Sequence, residues 1–138
     1  FRRVLFRSKH CFYTRKPLLD LGARRIPEQC WSYSSGQVAV YLAGLDNHSQ
    51  IYLLGFDMGP SSVGCFNNVY ADTEFYKKSN SVPTYTGNWI NQITTIVKTF
   101  STIGFIRVAG LTTADISQFD CLTNLTHLPI SEFQKTYK

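Results

Sequence analysis

Ile51-Tyr-Leu-Leu-Gly-Phe56, closed by Asp57, is a short apolar run of β-branched and aromatic residues, the pattern of a strand buried on both faces. Downstream, Trp89-Ile-Asn-Gln-Ile-Thr-Thr-Ile-Val-Lys-Thr-Phe100 sets Trp89, Ile93, Ile96, Val97 and Phe100 at helical spacing, and Phe105-Ile-Arg-Val-Ala109 reads as a second strand. Strand, helix, strand is the βαβ unit, whose crossover joins parallel strands. These three segments assign the chain to the α/β class.

Before the first strand, Ser34-Ser-Gly36 leads into Gln37-Val-Ala-Val-Tyr-Leu-Ala-Gly-Leu45. The spacing predicts a helix that starts near Ser35, is capped by Ser34 or Ser35, and turns Val38, Tyr41, Leu42 and Leu45 toward a sheet. Asp46-Asn-His-Ser49 supplies a polar connection. His10-Cys-Phe-Tyr-Thr14 suggests one more strand, and Ile130 to Tyr137, after Pro129, a last short helix. The expected whole is a Rossmann-like three-layer domain over residues 10–138, with a mostly parallel sheet and a long loop after the central strand. Residues 1–9 are expected to be a disordered arm or a segment derived from cloning or assembly.

Composition narrows the function classes. Hydrophobic residues make up 43% and charged residues 17%, as in an ordinary globular domain, and no apolar run approaches the ~20 residues of a membrane span. The net charge of +5 is misleading, because residues 1–25 hold eight basic side chains against Asp20 alone while the rest is slightly acidic. A basic terminal segment of this kind argues against a nucleic-acid-binding face. Cys11, Cys30, Cys65 and Cys121 lie far apart, so no metal site is expected; they read as small buried side chains in a reducing, cytoplasmic setting. The sequons at Asn47 and Asn124 carry little weight without a signal peptide. No P-loop, G-x-S-x-G or H-E-x-x-H occurs, and no cofactor is implied.

Ligands of a parallel sheet collect outside the carboxyl ends of its strands, which directs attention to Asp57 and the stretch from Asp57 to Asn88. Connections of this kind usually take about 2 to 6 residues. Phe66-Asn-Asn-Val-Tyr-Ala-Asp-Thr-Glu-Phe-Tyr76 and Pro83-Thr-Tyr-Thr-Gly-Asn-Trp89 are dense in aromatic and amide groups, suited to a sugar, ribose or base edge. Asn67, Asn68, Tyr70, Thr73, Asn88 and Trp89 are therefore candidate ligand contacts, although a loop hydrogen-bonded to itself has the same composition. Ser35 and Gly36 open a helix as either an anion seat or a plain cap. Asp57 either meets the ligand or caps the following turn.

Ser34-Ser-Gly-Gln-Val-Ala-Val-Tyr-Leu-Ala43, Gln50 to Asp57 and Val69-Tyr-Ala-Asp-Thr73 together resemble bacterial sialyltransferases of the Campylobacter type and related Rossmann-like proteins. The resemblance implies a fold binding a nucleotide-activated sugar, with Ser35 and Gly36 near the nucleotide and Asp57 at the strand edge. That family begins with a strand and a Gly-rich turn not found here, as expected of a chain lacking its first βαβ half. It also employs a histidine general base after the Tyr-rich segment, whereas residues 74–126 contain no His. A base would have to come from Asp57, Asp72 or Glu74. Two functions are consistent with these residues: a nucleotide-sugar-binding, glycosyltransferase-like domain of incomplete catalytic equipment, or a non-catalytic binding or assembly protein. The second would use the aromatic loop 66–89 as a partner surface, with oligomers burying Tyr85 and Trp89.

Overall fold

The computed structural model describes residues 12–16 and 22–137. Their elements are β1 (Tyr13–Thr14), β2 (Arg24–Arg25), α1 (Ser35–Leu45), β3 (Gln50–Leu53), α2 (Gly87–Thr99), β4 (Gly104–Ala109), β5 (Leu125–Pro129) and α3 (Ile130–Thr136). Short 3₁₀ turns occupy Glu28–Cys30 and Ser117–Phe119. The result is a mixed α/β fold with two parallel sheets, one of β1 and β2 and one in the order β3-β4-β5. The expected strand-helix-strand unit is β3-α2-β4.

Alternation along the strands sorts the main sheet into two faces. Ile51 stands opposite Phe105, and Phe105 opposite Leu125, so one apolar row crosses all three strands. Ile93, Ile96 and Val97 of α2, Val40 of α1 and Phe119 and Leu122 of the β4–β5 connection close over that row as one core. Each such side chain contributes about 1.5–3 kcal/mol by leaving water. The opposite face, carrying Tyr52 and Ile106, is covered by α3: Phe133 and Tyr137 pack on the Tyr52 ring, and the Tyr52 and Tyr137 hydroxyls hydrogen-bond.

Several expectations need correction. Helix α1 covers the predicted residues, and Tyr41 packs on the core as expected, but the buried side is Gln37, Val40 and Gly44, whereas Val38 and Leu42 line a separate pocket and Leu45 is exposed. This helix is apolar around most of its circumference, so periodicity gave no firm direction. Gly44 sets the packing side, because a Cβ there would lie 2.6 Å from the Phe100 ring. Strand β3 stops at Leu53 rather than Phe56: Leu54 is exposed and Gly55 adopts φ +74°, which turns the chain. Of the cysteines, Cys30 is buried, but Cys65 is half-buried and Cys121 exposed.

Strands β2 and β5 were not expected. His10 and Cys11, the start of the suggested first strand, lie outside the described residues, as does the arm 1–9; Tyr13–Thr14 pairs only with Arg24–Arg25. Residues 110–124 join β4 to β5 with no α-helix. At their end, Asn124 Nδ2 donates to the carbonyls of Val97, Phe100 and Ile103 at 3.0–3.1 Å, tying the C-terminal end of α2 to the start of β5. Among the described residues, no helix is long and apolar enough to cross a membrane.

Candidate functional site

At the carboxyl end of β3 the chain leaves the sheet through Gly55 and a second left-handed residue, Met58 at φ +56°. The first turns of α1 and α2 reach the same place. Between them lies a cavity of about 550 Å³, walled by Gly36, Gln37, Phe56, Asp57, Thr86 and Trp89, with Asn67 and Asn68 from the long loop. Its position is the one expected for a ligand site on a parallel sheet.

Neither helix start is closed by a side chain. Ser34, the N-cap of α1, makes no cap bond and neither first turn holds an acidic residue. Thr86, the N-cap of α2, donates its hydroxyl to Met58 O at 3.1 Å instead. The first intrahelical bonds run from Val38 N–H to Ser34 O and from Ile90 N–H to Thr86 O, so the amide groups before them lie outside the ladder. Two positive helix ends therefore meet at one cavity, and the dipoles of both favour a negative ligand group.

The rim is held by an arginine inside the strand. Arg107 takes the position after Phe105 on the core face of β4, and only 1% of it is exposed. Nε donates to Phe56 O at 2.9 Å, Nη2 to Asp57 O at 2.7 Å and Nη1 to Ala114 O at 2.9 Å, while the guanidinium lies over the Phe119 ring. Burial pushes its pKa down, and the nearby Asp57 and Asp115 carboxylates push the other way. The Asp57 carboxylate accepts from the hydroxyls of Thr113 at 2.9 Å and Thr112 at 3.3 Å. Asp57 and Arg107 thus clamp the loop after β3 to the loop after β4.

The candidate residues divide sharply. Gly36, Asp57, Asn67, Asn68 and Trp89 line the cavity. Ser35 faces a different pocket of about 360 Å³ between α1 and β1, and exposed Asn88 is not in the cavity wall. Tyr70, Asp72, Thr73 and Glu74 belong to an exposed tip beyond it. There the Thr73 hydroxyl donates to Tyr70 O, and Asp72 Oδ1 accepts from the Ser79 N–H, which holds the Asp72 carboxyl below its ordinary range. Neither Asp72 nor Glu74 lines the cavity, which leaves Asp57 as its sole ionisable wall residue among the described residues.

Gln37 and Arg107 were missed, though both left a trace. Ser34-x-x-Gln37 has the spacing of a capping box, and Arg107 is the lone charge in an apolar strand. Neither protein-family models nor curated proteins nor solved structures yield a match to this chain.

Proposed function

We propose that this is a Rossmann-like binding domain for a nucleotide or nucleotide-sugar, glycosyltransferase-like in its site but without a complete catalytic set. The observation that carries this reading is the convergence of two uncapped helix starts on one cavity at the carboxyl edge of β3. Its volume suits a small polar ligand, its helix ends suit phosphate, and Asn67, Asn68, Phe56 and Trp89 offer amides and rings for a base or sugar. For transfer chemistry the cavity offers, among the described residues, Asp57 alone, already engaged by Thr112 and Thr113, so binding is favoured over catalysis.

Titration calorimetry and thermal shift with CMP, UDP, GDP and their sugar conjugates at millimolar concentration test the reading. One class should stabilise the chain by about 1 kcal/mol or more, as expected when ligand exceeds Kd roughly tenfold. Asn67→Ala and Asn68→Ala should weaken that response; each also gives up one loop bond, Asn67 Nδ2 to Gly59 O or Tyr70 N–H to Asn68 Oδ1, so unfolding without ligand is measured alongside. Asp57→Ala is a poorer probe, because it also removes the acceptor for the two threonines. No response from a folded sample to any of these ligands overturns the reading.

The exposed tip favours a second reading. Phe75 in the tip is 87% exposed and Tyr85, between the tip and α2, 78%, apolar surface of the kind that marks partner contacts. Trp89 belongs to the cavity wall and packs on the core, so a partner surface would centre on Phe75 and Tyr85. Concentration-dependent sedimentation abolished by Phe75→Ser would support it; a monomer at all concentrations would count against self-assembly.

A further inference from the structure

Helix α1 has two apolar sides, and the core takes one of them. Val40 joins the core, whereas Val38, Ala39 and Leu42 turn to the strand pair β1 and β2, where Ile26 is only 5% exposed yet stands outside the core cluster. Between them lies the pocket of about 360 Å³, whose wall holds no acid and no side-chain amide among the described residues. The charge beside it is predominantly positive. The strand pair and its flank carry Arg15, Lys16, Arg24 and Arg25, and the acid near them among the described residues is Glu28, which pairs with Arg25. Arg15 belongs to the pocket wall itself. Its Nη2 donates to Tyr33 O at 3.1 Å, a neutral acceptor that pins the guanidinium and leaves its charge uncompensated, and no carboxylate pairs with it among the described residues. Thr14 and Ser35 bring hydroxyls to the same wall. Thr14 Oγ1 accepts the Lys16 N–H at 3.3 Å and keeps its own proton to donate, and the Ser35 hydroxyl has no hydrogen-bond partner among the described residues.

We infer that this pocket is a second binding site, for a small carboxylate with a compact aliphatic body. The carboxylate lies at Arg15, with the Thr14 and Ser35 hydroxyls as further donors, and the hydrocarbon lies against Ile26, Val38, Ala39 and Leu42. A planar guanidinium matches a carboxylate through paired N–H groups, and each methylene withdrawn from water adds to affinity. The volume is that of a small-molecule site. A nucleotide fits it poorly, because no amide or acid is there to meet a base edge. Gly36 and Gln37 line the cavity at the β3 edge while Ser35 and Val38 line this pocket, so α1 is a partition between a polar site and an apolar one. The inference does not rest on the nucleotide reading.

Octanoate is the probe, with octanol and octylamine as its neutral and cationic counterparts. Each is titrated below its aggregation concentration into isotopically labelled protein and followed by amide chemical shifts and calorimetry. Octanoate is expected to bind with shifts centred on Thr14, Ser35, Val38 and Leu42, octanol about tenfold more weakly, and octylamine more weakly still. Arg15→Gln should bring octanoate down to the level of octanol, a loss of about tenfold, and leave octanol unchanged. Arg15→Lys should keep part of the difference, because the charge remains and the planar fork is lost. Ala39→Phe, which fills the apolar part of the pocket, should abolish binding of both. Unfolding without ligand checks that each variant is folded; Arg15 is exposed, so Arg15→Gln decides the matter even if Ala39→Phe does not fold. Octanoate binding that is absent from wild type, no tighter than octanol binding, or unchanged in Arg15→Gln overturns the site. Shifts centred on Asn67 and Trp89 overturn it as well, since they would put the carboxylate in the cavity at the β3 edge.

Discussion

The two parts of the long loop between β3 and α2 share a vocabulary of aromatic and amide residues and differ in almost everything else. In its inner part, Met58 and Phe66 are buried, Asp57 and the Phe56 carbonyl are held by the β4 side, and Asn67 and Asn68 face the cavity. In the tip, residues 70–80 are nearly all exposed, and their hydrogen bonds are local, as in Asp72 N–H to Lys77 O and Tyr76 N–H to Thr73 O. Anchoring, rather than composition, decides which asparagines and tyrosines belong to a site.

The largest effect should come from removing the anchor. Arg107→Met removes the guanidinium from three carbonyls, of which Asp57 O keeps the Ala114 N–H, and bonds to a charged donor contribute about 1.5–3 kcal/mol each before compensation. The expected loss is about 3 kcal/mol or more in chemical denaturation, with Arg107→Lys intermediate because an ammonium lacks the planar fork. A change below about 1 kcal/mol would mean that the inner part is held by its apolar contacts alone.

Excision of the tip should do far less. Phe66 N–H donates to Ser81 O at 2.9 Å, so the two ends of the tip are already adjacent. Replacing residues 70–80 by a short Gly-Ser link should alter stability by no more than about 0.5 kcal/mol and leave ligand binding at the cavity unchanged. Lost binding would move the tip into the site and reinstate Tyr70 and Thr73 as contacts.

Acidification should give the smallest and most local effect. The folded-state pKa of Asp72 is lowered, chiefly by the Ser79 N–H, so its contribution is present above the ordinary aspartate pKa and disappears as pH falls through the depressed value. Amide exchange at Ser79 should accelerate over that acid range in wild type, and Asp72→Ala should show the fast rate already at neutral pH. Equal rates in the two proteins at neutral pH would mean that the carboxylate does not organise the tip.

Much of the main unit was legible from local pattern. The Ile93, Ile96 and Val97 stripe of α2 and the β3-α2-β4 order needed no information beyond spacing, because each element buries a continuous apolar set. Strand β5 was not legible, since Leu125-Thr-His-Leu-Pro129 is short and partly polar and owes its extended form to pairing with β4. The cavity was half legible for a related reason. Gly36, Asp57, Asn67, Asn68 and Trp89 announced themselves as residue types, whereas Gln37 reaches the cavity wall only through the way α1 packs. Ser35 lines the pocket between α1 and β1 instead, because adjacent residues at a helix start point to different sides.

Asn124 carries one more consequence. Its side-chain nitrogen, the atom to which an oligosaccharide would be joined in the Asn124-Leu-Thr126 sequon, is the same atom that donates to Val97, Phe100 and Ile103. Folding therefore withdraws the acceptor from the glycosylation machinery. In a secretory host, a glycan at Asn124 would mark chains caught before β5 docked against α2, so glycan occupancy at this one residue would serve as a gauge of folding speed inside the cell.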